Sequence, residues 1–223
     1  DNSSDQNIWK SIVNVGGARY ENTAIITGSE GWTSNGLVVG ENCEVSFDYV
    51  PFPYQSFNGT SEGVGGNNGY TFEIEFMTQN VTNEDDVVCN MVDERENGSC
   101  GLLITGSEFK FTTPNGNSVS TRFKANEMNR AVIVIRPQYN SSDEFKGLVE
   151  LYMNGVLSNI SKYTFDEKFE VLERDADGSF ISKSLKFTGT EGAEIVIKYI
   201  RAYNGAIESN EVVNNYILFR TET

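Results

Sequence analysis

Histidine is absent from this 223-residue chain. That removes Ser-His and Cys-His nucleophile systems and the commonest zinc ligand. Cysteine is scarce, and three thiols are too few, and odd in number, for a secreted disulfide framework. Cys89 and Cys100 flank a segment containing Asn97-Gly98 and could face one another across a hairpin, whereas Cys43 has no evident partner. Three reduced, buried thiols are the expected state. Long apolar runs are also missing: nothing approaches the ~20 consecutive apolar residues of a membrane helix, so no membrane partner is expected. Basic residues number 17 against 32 acidic ones, and the net charge of −15 disfavours nucleic acid, whose phosphates need a cationic face. The chain opens at Asp1 without an initiator Met or a basic-then-apolar leader, and is expected to be an excised piece or processed product of something longer.

What the chain does contain is β pattern. The run Leu148 to Leu157 is Leu-rich and aromatic on either side of Asn154-Gly155. Both central residues of a type I′ turn need positive φ, so this pair predicts a tight hairpin. Arg130 to Arg136 is a second strand candidate, β-branched in its interior and bounded by charge and Pro137. Ala193 to Tyr203 is a third. Tyr70 to Met77 alternates, with Phe72, Ile74 and Phe76 inward and Glu73 and Glu75 on the opposite face. Cys43 to Tyr49 alternates likewise, Ala24-Ile25-Ile26 and Leu37-Val38-Val39 suit short early strands, and Val87 to Met91 pairs with Gly101 to Ile104. Strands about ten residues apart, punctuated by Gly, Asn and Pro, predict an all-β, two-sheet antiparallel sandwich. With 38% hydrophobic residues the chain can bury one core, so residues 13–223 are read as a single domain after a linker or tail at 1–12. Ser209 is expected to cap a short C-terminal helix with Val212, Val213, Tyr216 and Phe219 at helical spacing.

These blocks together resemble the concanavalin A-like lectin/glucanase superfamily in its laminin-G-like form. The resemblance rests on Phe72-Glu73-Ile74-Glu75-Phe76, the Gly101 to Ile104 strand, Arg130 to Ile135, the Leu151 to Val156 hairpin and Ile200-Arg201-Ala202-Tyr203-Asn204 leading into Glu211 to Tyr216. It spans roughly Glu44 to Phe219. It implies a jelly roll used for binding carbohydrate or protein. In style the blocks are similar to laminin-G-like domains appended to bacteriophage tail, baseplate or head-decoration proteins and to bacterial surface proteins. A virion, extracellular or cell-surface location is the corresponding expectation.

Glycosidases of that superfamily carry Glu-x-Asp-x-Glu or Glu-x-Asp-x-x-Glu on one strand, and retaining hydrolysis needs two carboxyls ~5 Å apart, one ionised and one protonated. Here the middle position is Glu75 and the third is Met77 or Thr78, so the acid/base is missing. Glu73 and Glu75 are read as a solvated pair, and no enzyme is expected. No cofactor is expected, and calcium is the one candidate weighed against that. Glu173 to Gly178 fails as an EF-hand, because position 1 is Glu and the twelfth position is Ser184. The clusters holding Asp85, Asp86, Asp93 and Glu94 could supply oxygen ligands at a loop rim, against the plainer reading of a solvated loop.

Sugar recognition uses exposed aromatics beside amides and carboxylates. Trp32, Tyr54, Phe57 and Tyr139 are the candidate platforms, with Tyr49 a further aromatic of the same kind. Tyr54 and Phe57 lie in a Pro- and Gly-rich loop from Pro51 to Gly69 that is too irregular for regular structure. Asn-x-Ser/Thr sequons at Asn2, Asn58, Asn80, Asn97, Asn140 and Asn159 are read as chance in an Asn/Ser-rich chain. Three functions remain: a binding module for glycan or a neighbouring structural protein, a purely structural assembly domain, or a carbohydrate-active enzyme of the same superfamily.

Overall fold

The computed structural model describes residues 8–15, 18–28, 31–47, 70–92, 101–112, 117–138, 145–165, 185–189, 191–203 and 205–221. In chain order the strands are β1 (Ile8–Val15), β2 (Ala18–Thr27), β3 (Trp32–Thr33), β4 (Gly36–Val39) and β5 (Glu44–Phe47). There follow β6 (Tyr70–Gln79), β7 (Val87–Val92), β8 (Gly101–Thr105), β9 (Glu108–Thr112) and β10 (Ser118–Arg122). The chain continues through β11 (Asn129–Gln138), β12 (Phe145–Met153), β13 (Val156–Phe165), β14 (Leu185–Gly189) and β15 (Glu194–Tyr203) to one helix, α1 (Ser209–Thr221).

Two antiparallel sheets result. One runs β1-β2-β5-β14-β7-β8-β9-β10 and the other β13-β12-β11-β6-β15-β4-β3. The all-β sandwich with a short C-terminal helix is therefore the architecture, as the strand spacing implies. Between the sheets lies a core to which both contribute: Phe72, Ile74 and Phe76 from β6, Ile133 and Ile135 from β11, and Leu102, Ile104, Phe109 and Phe111 from β8 and β9. Phe76 links the layers, stacking on Phe109 at 5.8 Å between ring centroids and meeting Phe123 edge-on at 5.0 Å.

Strand β11 shows why its sequence does not alternate. Ala131, Ile133 and Ile135 enter the main core, while Val132 and Val134 join a second small core under α1 with Tyr152 and Val212. A strand buried on both faces reads as an unbroken apolar run. The helix lies on the outer face of the β13-to-β3 sheet. Its start differs from expectation: Ser209 is the first helical residue, and Glu208 occupies the cap, with the Glu211 side chain accepting from the Glu208 amide at 2.8 Å. Ser209 is freed from capping because its hydroxyl meets Tyr152 Oη at 2.8 Å.

The Asn154-Gly155 turn forms as its sequence predicts, with φ of 53° and 79°. Asn154 is pinned there: its Oδ1 accepts from the Arg130 amide at 2.9 Å and its Nδ2 donates to Asn129 Oδ1 at 3.1 Å. Cys43 and Cys89 are buried reduced thiols, and burial pushes Cys89 up to about 12. Cys100 lies outside the described residues.

A Cβ at Gly155 would approach the Tyr216 ring of α1 to 2.8 Å while holding a left-handed backbone. Gly155→Ala should therefore lower unfolding free energy by about 1–2 kcal/mol, read as a reduced midpoint at unchanged slope in urea titration.

Candidate functional site

The polar chemistry of the described residues concentrates on the outer face of the sheet that α1 crosses. Three central strands build it. Register places Arg130 of β11 opposite Glu75 of β6, while β15 sets Tyr199 opposite Glu75 and Arg201 opposite Glu73. The β15 placement depends on a bulge between Ile197 and Tyr199. Ile195 and Ile197 enter the core, the extra residue Lys198 shifts the alternation, and Ile200 then packs against the core while Tyr199 and Arg201 face outward.

Glu73 and Glu75 are not a solvated pair. Their relative exposures are 0% and 4%, and each carboxylate faces a cation. Glu73 accepts from the Arg130 guanidinium through Oε1, and Arg201 Nη1 stands 3.9 Å from its Oε2. Glu75 pairs with Lys198 Nζ at 3.2 Å. Arg201 also lies over the Tyr199 ring at 4.6 Å from the centroid. The cause is simple: the strand pattern shows which way a side chain points, but not that neighbouring strands deliver cations to the same face. Arg130, Lys198 and Arg201 all stand in the sequence, but their pairing depends on register across β11, β6 and β15.

Burial raises the Glu75 carboxyl above its ordinary value of 4.5, opposed by the hydrogen bond and charge of Lys198, the charge of Arg130 and the nearby Tyr199 hydroxyl. Burial likewise raises the Tyr199 hydroxyl. A second cluster anchors α1. Arg136 Nε donates to Glu150 Oε1 at 3.0 Å and its Nη2 to the Ile207 carbonyl, with Glu208 3.7 Å from Nη1. Tyr152 Oη donates to Glu150 Oε2 at 2.9 Å, and the Thr71 hydroxyl donates to the Gly205 carbonyl and accepts from the Ile207 amide. Chemically, these carboxylates are engaged in holding strands and helix together.

Of the candidate platforms, Trp32 sits in β3, half-buried against the main core. Tyr54, Phe57 and Tyr139 lie outside the described residues, as do Tyr49, the Pro51 to Gly69 loop and the Glu173 to Gly178 stretch. Asp85 and Asp86 share the turn between β6 and β7. Asp86 Oδ2 accepts from the Thr82 hydroxyl at 3.2 Å, the Asp85 amide donates to Asn83 Oδ1 at 3.3 Å, and Glu84 stands 3.8 Å from Arg122. Asp93 and Glu94 also lie outside the described residues, and among those described no group of three potential metal ligands gathers.

No protein-family model matches the sequence, and no curated protein does. Solved structures do match in fold. A botulinum neurotoxin type C structure, described as depending on two ganglioside molecules to enter cells, superposes with a TM-score of 0.61 at 9% identity. The match covers 95% of this chain and 51% of that one. The botulinum neurotoxin DC binding domain in complex with rat synaptotagmin II gives 0.61 at 10% identity, with the same coverage. The DC binding domain in complex with SialylT gives 0.57 at 10%, again over 95% and 51%. The chain thus spans about half the length of these proteins and shares the β-sandwich found in them.

Glu73 and Arg130 provide a direct stability test. Arg130→Met removes the guanidinium that the fully buried Glu73 carboxylate accepts from, and should cost about 3 kcal/mol in denaturant unfolding, most of it recovered in the Glu73→Leu/Arg130→Met double variant. Glu75 responds in the opposite sense. With its folded pKa above the unfolded value, the folded state holds the proton more tightly, so this contribution to stability is present at acid pH and fades as pH rises through the raised pKa. Glu75→Gln should accordingly stabilise the protein at pH 7 relative to the native chain, with the difference in melting temperature shrinking as pH falls toward the ordinary 4.5.

Proposed function

We propose that this chain is a non-catalytic binding module that contacts glycan on the surface of a virion or cell, as part of a larger surface protein. The observation that carries the reading is the fold match over 95% of the chain to botulinum neurotoxin structures, one described with ganglioside molecules, one a binding domain with rat synaptotagmin II and one a binding domain with SialylT. The laminin-G-like resemblance of the sequence supports the same class. The buried ion pairs of Glu73 and Glu75 support it too, since a carboxylate held by a guanidinium or ammonium is spent on structure rather than offered to a glycosidic bond.

Tyr54, Phe57, Tyr139 and Trp32 are the candidate stacking groups of this reading, and Asp85, Asp86, Asp93 and Glu94 are the candidate carboxylates for calcium. A protein carrying −15 repels anionic glycans at long range, so neutral sugars are the preferred class, in contrast to the gangliosides named for the neurotoxin structure.

The test is a glycan array probed with the full chain, with and without calcium. Neutral glycans should bind, and Tyr54→Ala, Phe57→Ala or Tyr139→Ala should weaken the best of them by about tenfold in Kd. Silence across the array, or full affinity in all three variants, overturns the proposal.

A further inference from the structure

Strand β13 closes one end of its sheet, and among the described strands only β12 pairs with it. Sheet edges are ordinarily protected by charge, because an open row of amides and carbonyls recruits another strand. This one is not. Val156, Leu157 and Ile160 are 65%, 45% and 50% exposed, and Lys162 is the one charged residue in the ten of β13. From Leu151 through Phe165 there is no carboxylate, in a chain where one residue in about seven is acidic.

The strip continues onto α1. Ile160 stands opposite Glu150 and Leu157 opposite Tyr152 in the register with β12, which puts both on the outer face that α1 crosses. Tyr216 of α1 packs at the hairpin tip over Gly155. Val213 and Ile217, one turn apart, follow Tyr216 around the helix away from buried Val212, and both are exposed. Inside the sandwich the same edge is closed, since Asn159 Nδ2 donates to the Ser120 carbonyl of β10 at 2.9 Å.

We propose that β13 is a self-association edge, through which two copies of this chain pair antiparallel about a two-fold axis and extend the sheet across the dimer. Charge selects a copy as the occupant. A molecule of net charge −15 repels its twin over most of its surface, and an isologous contact brings a patch against itself, so it needs a patch free of carboxylates. Residues 151–165 supply one. Register agrees on the far side of the bulge that leaves Ser158 unpaired with β12: an axis through Ile160 stacks Ile160 on its counterpart and sets Asn159 against Ser161, with no like-charge pair. The flanks of the two helices then border one shared apolar strip. Such a contact belongs to the small class of interfaces, about 1,200 Å² in total, and implies a reversible dimer.

Sedimentation velocity on the full chain should show a concentration-dependent monomer–dimer equilibrium, and hydrogen exchange at β13 amides should slow as concentration rises. Ile160→Lys should abolish both effects with the near-ultraviolet circular dichroism unchanged. Leu157→Lys provides the same test at an independently exposed position if the first variant fails to fold. A chain that stays monomeric at its highest soluble concentration, or a dimer undiminished in a folded Lys variant, overturns the proposal.

Discussion

The strands β6 and β11 are buried on both faces, and most of the molecule follows from that constraint. Their inner face is hydrocarbon: Phe72, Ile74, Phe76, Ile133 and Ile135 lie against the opposite sheet. Their outer face is mixed. Beneath α1 it is apolar, with Val132 and Val134, and beside that patch it carries Glu73 and Arg130, both almost without access to solvent. Charges withdrawn from water to this degree are tolerated only as partners, because desolvation of each costs several kcal/mol that its neighbour must offset. Register among β11, β6 and β15 is thereby constrained twice, once by packing and once by which cation faces which carboxylate.

This arrangement bears on function by allocation. The middle of the sheet, where a glycosidase would place its machinery, is occupied by groups committed to cohesion, including the Arg136–Glu150–Tyr152–Ser209 chain that fastens α1. Loops that leave strand ends, and sheet margins, can vary without disturbing such a frame. A sandwich of this kind can keep its core while its binding surfaces change, and identities of 9–14% with structures of the same fold are consistent with that division.

Local chemistry made much of the fold legible. The Asn154-Gly155 turn, the alternation of Tyr70 to Met77 and the unbroken β-branched run of β11 each state their own backbone conformation, and all three appear where the residues place them. The β15 bulge was not legible, because Ile195, Ile197 and Ile200 break period two and nothing local says that Lys198 is the extra residue. The ion pairs were hidden for the same reason at longer range: Glu73 and Arg130 are 57 positions apart and meet only through strand order. The helix cap was misassigned to Ser209, since a hydroxyl at a helix start looks like a cap unless a tertiary partner such as Tyr152 claims it. Of the proposed sugar platforms only Trp32 falls among the described residues, and there its ring serves the core.

The pinning of Asn154 has a chemical consequence as well as a geometric one. Asparagine followed by glycine is the dipeptide most prone to spontaneous loss of ammonia, because the glycine amide nitrogen can swing onto the side-chain carbonyl carbon and close a succinimide ring. Here that carboxamide is tied at both ends, to the Arg130 amide and to Asn129, while Gly155 is pressed against Tyr216. The turn that shapes the sheet is thus also sheltered from ageing, and its integrity over the lifetime of the molecule rests on the strand it helps to position.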